Sequence, residues 1–255
     1  MLSLVFLYQK RRKLLSPSLR ITTAQQFRDS RKIEVFQILL LWQTKVTSVA
    51  GANMSYRENV IIIGMPGAGK SAVGRLLSSF LGHGYVDLDT WISRKEKQSP
   101  KELIEKRGLE AWRDLELSGL KRLKSTRNMV ISVGGGAVHQ MEIVELLQQM
   151  GTVVYLDCEL PELVRRLSSV GEVKKRPLLA DALDESGNIR KESLETLLRG
   201  LKVQRREWFE RAAEVILPTD YASIDICAEW LHRILCDEKN KEGKANLWSH
   251  LKASY

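Results

Sequence analysis

The chain has 255 residues, 44% of them hydrophobic, and a formal net charge of +9, which suits one α/β domain with appended segments. Nine of its Lys/Arg residues fall within residues 1–53 against only Asp29 and Glu34, so seven of the nine net charges lie there and the body carries two; this near balance gives no basic surface for a nucleic-acid partner. Cys158, Cys227 and Cys236 are scattered without a C-x-x-C pair, so neither a disulfide framework nor a zinc site is suggested, and no apolar run reaches membrane-spanning length.

Residues 1–53 form a leader whose apolar residues precede its basic cluster, the reverse of a secretory signal. Three readings stay open for it: translation starting at Met54, an acid-poor organellar transit segment that would place the protein in a plastid or mitochondrion, or an appended segment. Without a transit role the expectation is a cytoplasmic protein. Residues 54–237 are expected to form the folded domain and 238–255 a polar tail, with Asp237 to Lys244 a solvated charge run.

Val60–Ile63 reads as a buried parallel strand, and Gly64-Met-Pro-Gly-Ala-Gly-Lys70-Ser71 follows it directly. This is the phosphate-binding loop G-x-x-x-x-G-K-[ST] in its strand-to-helix setting. Its glycines let backbone N–H groups curl around phosphates at a helix N-terminus, where the dipole favours anions. Lys70 is placed to reach the β- and γ-phosphates and Ser71 to ligate Mg²⁺. The helix is expected over Ser71–Leu81.

Gly84 to Asp89 reads as a second strand ending in two acids. Asp87 and Asp89, two apart, would then face the same side, one for the Mg²⁺ shell and one to orient a hydroxyl. Pro100–Gly108 and Glu110–Lys124 read as two helices, the first stopped by glycine. Arg113 and Glu116 share a face of the second, either as a surface ion pair or as an arginine fork held for a substrate carboxylate. Met129–Val133 is a third strand closed by Gly134-Gly135-Gly136, which would bring backbone N–H groups close to a ligand. His139–Met150 reads as a helix, Thr152–Leu156 as a strand and Pro161–Ser168 as a helix.

The stretch from Gly171 through Asn188 is charged and glycine-bearing, and it reads as a mobile lid outside the core. Arg190–Arg211 is a long helix, Glu214–Leu217 a fifth strand and Ile224–Leu235 the last helix. Strands alternating with helices predict a five-stranded parallel sheet flanked by helices.

The phosphate-binding loop, the Asp87-Leu-Asp89 pair, Gly108 through Trp112-Arg113-Asp-Leu-Glu116, the triple glycine, Arg176-Pro-Leu-Leu179 and Arg205 before Trp208-Phe209 together resemble the shikimate kinase family. The resemblance covers about residues 57–237. It implies sheet order 2-3-1-4-5, a P-loop kinase with a mobile lid, and ATP- and Mg²⁺-dependent phosphorylation of the 3-hydroxyl of shikimate by a monomer that binds neither nucleic acid nor membrane. It further implies that Gly67, Ala68, Gly69, Lys70, Ser71 and Ala72 bind ATP phosphates, with Ser71 and Asp87 serving the metal. Asp89 would be the base on the acceptor hydroxyl. Arg113, steadied by Glu116, would bind shikimate with the Gly135 backbone and Arg205, and Arg176 would close over the phosphates. Trp112 and Trp208-Phe209 depart from the usual Phe and Leu-Tyr, the lid region is longer, and Arg206 adjoins Arg205. Other readings are a related sugar-acid kinase such as gluconate kinase, or a silent homologue that binds nucleotide without turnover.

Overall fold

The structure, a computed structural model, describes residues 59–237 except 175 and 221; the predicted leader and the tail beyond 237 lie outside the described residues. Five strands form one parallel sheet in the order β2-β3-β1-β4-β5, as the resemblance implies. They are β1 (Val60–Gly64), β2 (Gly84–Asp87), β3 (Met129–Ser132), β4 (Thr152–Asp157) and β5 (Val215–Pro218). The central strand β1 is a continuous apolar run because helices cover both faces, and Val60 through Ile63 are fully buried.

The helices are α1 (Lys70–Leu81), α2 (Leu88–Glu96), α3 (Pro100–Leu123), α4 (Met141–Met150), α5 (Leu160–Leu167), α6 (Val170–Lys174), α7 (Lys191–Ala212) and α8 (Ile224–Asp237). A Ser99–Glu102 capping box starts α3. Gly108, at φ 85° and ψ 168°, breaks its helical path where the sequence placed a stop. Gln140 precedes the first turn of α4, so His139 lies outside that helix rather than at its start. Among the described residues no helix is long and apolar enough to cross a membrane.

Two expectations are corrected. β2 ends at Asp87, not Asp89, because Asp87 becomes the N-cap of α2: its Oδ1 accepts from the Thr90 backbone N–H and hydroxyl, both at 3.1 Å. Asp89 therefore sits in the first helical turn. The stretch expected to stay outside the core is also partly core, since Val173, Leu179 and Ala182 are fully buried. It folds as α6, a 3₁₀ turn (Pro177–Ala182) and a tight loop closed by an antiparallel bridge between Leu183 and Ile189. The charged residues lie between the buried ones, so no regular apolar period announced them.

Asn59 ties the N-terminal edge of this sheet. Its amide donates to the carbonyls of Thr126 (2.8 Å) and Met150 (3.0 Å), and its Oδ1 accepts from Met129 N–H at 3.1 Å. Asn59→Ala strands three polar groups at a buried site and should cost about 3 kcal/mol. Thermal melting should fall by several degrees; an unchanged melting temperature would show that the clamp contributes nothing.

Candidate active site

The carboxyl ends of the strands are where an open α/β sheet offers its ligand crevice. At the end of β1 the chain turns sharply. Gly64 has φ +145° and an added Cβ would lie 2.6 Å from the Leu156 carbonyl oxygen; Gly67 and Gly69 also have positive φ. Only glycine allows this path, and it delivers the chain to the N-terminus of α1.

Lys70, the first residue of α1, folds back over the loop. Its Nζ donates to the carbonyls of Gly64 (3.0 Å) and Met65 (3.1 Å). Burial pulls its pKa below the ordinary lysine value, against the opposing pull of Asp89 and Asp87. Arg176 and Arg205 are near enough to add to the lowering. Ser71 Oγ donates to Asp87 Oδ2 at 2.8 Å, and the exposed Ala72 follows it in the first turn. Tyr85 O–H donates to Ser132 Oγ (3.0 Å), which donates to the Lys70 carbonyl (3.3 Å). The start of α1 is thereby tied to β2 and β3.

Across the crevice, the triple glycine forms a floor on which four charged side chains converge. A Cβ at Gly134 would stand 2.7 Å from Asp89 Oδ1 and 2.8 Å from Glu116 Oε1. At Gly135 it would meet Gly64 O at 3.0 Å and Arg205 Nη1 at 3.4 Å, and at Gly136 it would meet Arg113 Cζ at 2.8 Å. Side chains at these positions would occupy the space those groups need.

Arg113 Nη1 donates to Glu116 Oε2 at 2.5 Å, and Glu116 is only 1% exposed. Burial raises the Glu116 pKa, with Arg113 opposing the rise. Asp89 is pushed up to about 7, first by burial and then by the neighbouring carboxylates Glu116 and Asp87. Its Oδ1 is buried and has no hydrogen-bond partner among the described residues. Arg205 is 6% exposed, and no hydrogen bond joins it to any described residue. Burial, reinforced by Arg113, lowers its pKa to about 10. Arg206 points the other way, into an exposed pair with Glu210 at 2.7 Å. Arg176 Nη1 donates to the Glu172 carbonyl (2.5 Å) and carboxylate (2.8 Å).

Sequence reasoning missed Arg166. Its guanidinium donates to Gly67 O (3.3 Å), to Thr219 O (2.5 Å) and to Glu162 Oε1 (2.7 Å), bracing the phosphate-binding loop against the end of β5. Tandem Arg165-Arg166 reads as solvated charge; only the inward register of α5, with Leu163 and Leu167 buried, distinguishes the second arginine. Among the described residues no cluster of three or more His, Cys, Asp or Glu is arranged to hold a metal ion unaided.

Comparison with known proteins places this crevice in context. The family model "Shikimate kinase" matches residues 66–235. A shikimate kinase of Chlorobium chlorochromatii is 34% identical over 174 residues, covering 68% of this chain and 88% of that protein. One of Symbiobacterium thermophilum is 33% identical over 186 residues, covering 72% and 99%. Among solved structures, shikimate kinase from Acinetobacter baumannii in complex with shikimate superposes with a TM-score of 0.63 at 30% identity, covering 73% of this chain and 96% of that one. The enzyme from Aquifex aeolicus does so with 0.56 at 29%, covering 72% and 99%. A phosphate-binding loop facing a glycine floor lined with acids and buried arginines, within a sheet of this order, is thus found in a chain whose sequence and fold agree with one set of relatives: the chain belongs to the shikimate kinase family.

Proposed function

We propose that this chain transfers the γ-phosphoryl group of ATP to the 3-hydroxyl of shikimate, with the roles of its side chains set by the crevice. The observation that carries the reading is Arg205, a buried cation with no hydrogen-bond partner among the described residues, beside Arg113 and the Gly135 backbone. The two guanidinium groups share one carboxylate, Glu116, and an acceptor carboxylate offsets the positive charge that remains while matching their fork geometry. Arg113 is already oriented by Glu116, so it meets the carboxylate without losing further side-chain freedom.

With the carboxylate held there, the acceptor ring lies over residues 134–136, and its 3-hydroxyl reaches Asp89. The unpartnered Oδ1 accepts the hydroxyl proton as the oxygen attacks phosphorus. On the other side, the backbone N–H groups of Gly67, Ala68, Gly69, Lys70, Ser71 and Ala72 cradle the ATP phosphates. Lys70 follows the transferring phosphoryl group, and Arg176 covers it from the lid side.

Ser71 Oγ and Asp87 offer hard oxygen donors 2.8 Å apart beside the loop, a set that fits Mg²⁺, which takes few protein ligands and completes its shell with phosphate and water. When bound, Mg²⁺ offsets charge on the phosphate oxygens.

The test is a coupled ADP-release assay on the full chain with ATP and Mg²⁺, comparing shikimate, gluconate and no acceptor. ADP release that depends on shikimate is the expected result. Turnover with gluconate instead would favour a sugar-acid kinase, and ATP binding without acceptor-dependent turnover would make the chain a silent homologue.

A further inference from the structure

The inward face of α7 reads Leu194, Leu198, Lys202, Arg205, Phe209, Ala212. Five of these are buried, and the Lys202 side chain is only 13% exposed. A lysine in an apolar stripe costs desolvation. Its partners show where that cost is offset. Lys202 Nζ donates to the Cys158 carbonyl (2.8 Å) and to Glu159 Oε2 (3.2 Å), and lies 3.4 Å from Asp157 Oδ1. The Glu159 side chain is 64% exposed, so the largely buried Asp157, at 17%, is the carboxylate that fixes geometry.

Asp157 is itself held. Its Oδ1 accepts from Tyr155 O–H at 2.8 Å, and its carbonyl accepts from Thr219 N–H at 2.9 Å. Tyr155 also packs on Phe209, with ring centroids 5.1 Å apart. Arg205 therefore stands between two attachments of α7 to β4, Lys202 three residues before it and Phe209 four residues after. The aromatic attachment is non-directional packing; the charged one, with a carbonyl and a carboxylate as fixed points, adds direction and so sets the rotation and height of the helix.

We propose that Lys202 is a positioning residue of the acceptor site: by tying α7 to the end of β4 through Asp157 and the Cys158 carbonyl, it sets where the Arg205 guanidinium stands over Gly135. The inference rests on the reading of Arg205 as a ligand of the acceptor carboxylate. A misplacement of about 1 Å in such a group can cost on the order of a hundredfold. The phosphate-binding loop is braced separately, by Arg166 on Thr219 and Gly67, so loss of Lys202 should fall on one substrate.

Steady-state kinetics on the full chain, with each substrate varied in turn, tests this. Lys202→Met should raise the KM for shikimate about tenfold, with the KM for ATP and kcat changed by less than about twofold. Lys202→Arg should recover most of the loss. Asp157→Asn should reproduce the shift, and adding it to Lys202→Met should worsen nothing, as for two members of one interaction. If Lys202→Met fails to fold, the Arg and Asn variants carry the test. An unchanged KM for shikimate, or both KM values and kcat moving together, overturns the proposal. Arg205→Ala measured alongside separates the two ideas: if it leaves the KM for shikimate unchanged, the reading of Arg205 fails; if it raises that KM and the Lys202 and Asp157 variants do not, only the role of Lys202 fails.

Discussion

Lys70→Met is expected to lower kcat/KM on the order of a thousandfold, the scale for removing a preorganised donor aimed at developing charge. Methionine nearly matches lysine in length and keeps the packing, so the change isolates the ammonium group. Lys70 is half-buried, and its proton is held against a desolvation penalty by the Asp89 and Asp87 charges. The two carbonyls it binds, Gly64 and Met65, belong to the loop itself. Before ATP arrives, the ammonium is thus parked at hydrogen-bond distance from the phosphate cradle, and it has only to exchange carbonyl oxygens for phosphoryl oxygens. Ground-state binding of ATP is shared with the loop N–H groups, so ATP affinity by calorimetry should fall far less than kcat/KM. Removing the ammonium group also removes its desolvation cost, which offsets the loss of its two carbonyl hydrogen bonds, and the melting temperature should hold. A variant within tenfold of the parent in kcat/KM would take Lys70 off the transferring group.

How much of this was legible in the sequence differs from one feature to the next, for physical reasons. The apolar run Val60–Ile63 and the glycine-lysine loop after it are local signals: a strand buried on both faces needs no alternation, and the loop conformation needs glycine. Gly108 announced its own break. Asp89 was misplaced because a period-two alternation at a strand end also fits an N-cap followed by a first helical turn, and only the Asp87–Thr90 hydrogen bonds distinguish them. Arg205 and Arg206 are indistinguishable as a tandem pair until the register of α7 is known, and that register follows from the Leu194, Leu198, Phe209 and Ala212 stripe. The brace from Arg166 to Gly67 spans 99 residues of sequence. No local pattern encodes a contact of that separation.

Asp89→Asn separates binding from chemistry. Asparagine keeps the shape of the side chain and can still meet the acceptor hydroxyl, but it cannot take the proton, so kcat should fall at least about a hundredfold while ATP affinity is retained. A pH profile adds a second, independent signature. Burial and the neighbouring carboxylates raise the Asp89 pKa to about 7, so in the free enzyme the protonated, inactive form gains population as pH falls through that value. The kcat/KM of the parent enzyme should therefore drop on the acid side with an inflection near 7, since that ratio reports ionisations of the free enzyme. In the proposed complex the acceptor carboxylate would weaken the field of Arg113 that favours the ionised base, whereas the acceptor hydroxyl would give Asp89 Oδ1 the hydrogen bond it lacks and favour ionisation. Asp89→Asn should erase the acid limb along with the activity, because the limb belongs to the group that takes the hydroxyl proton. An Asn variant that is slow yet keeps the same inflection would assign the limb to a different group, with Glu116 next in line because it is buried against the same floor.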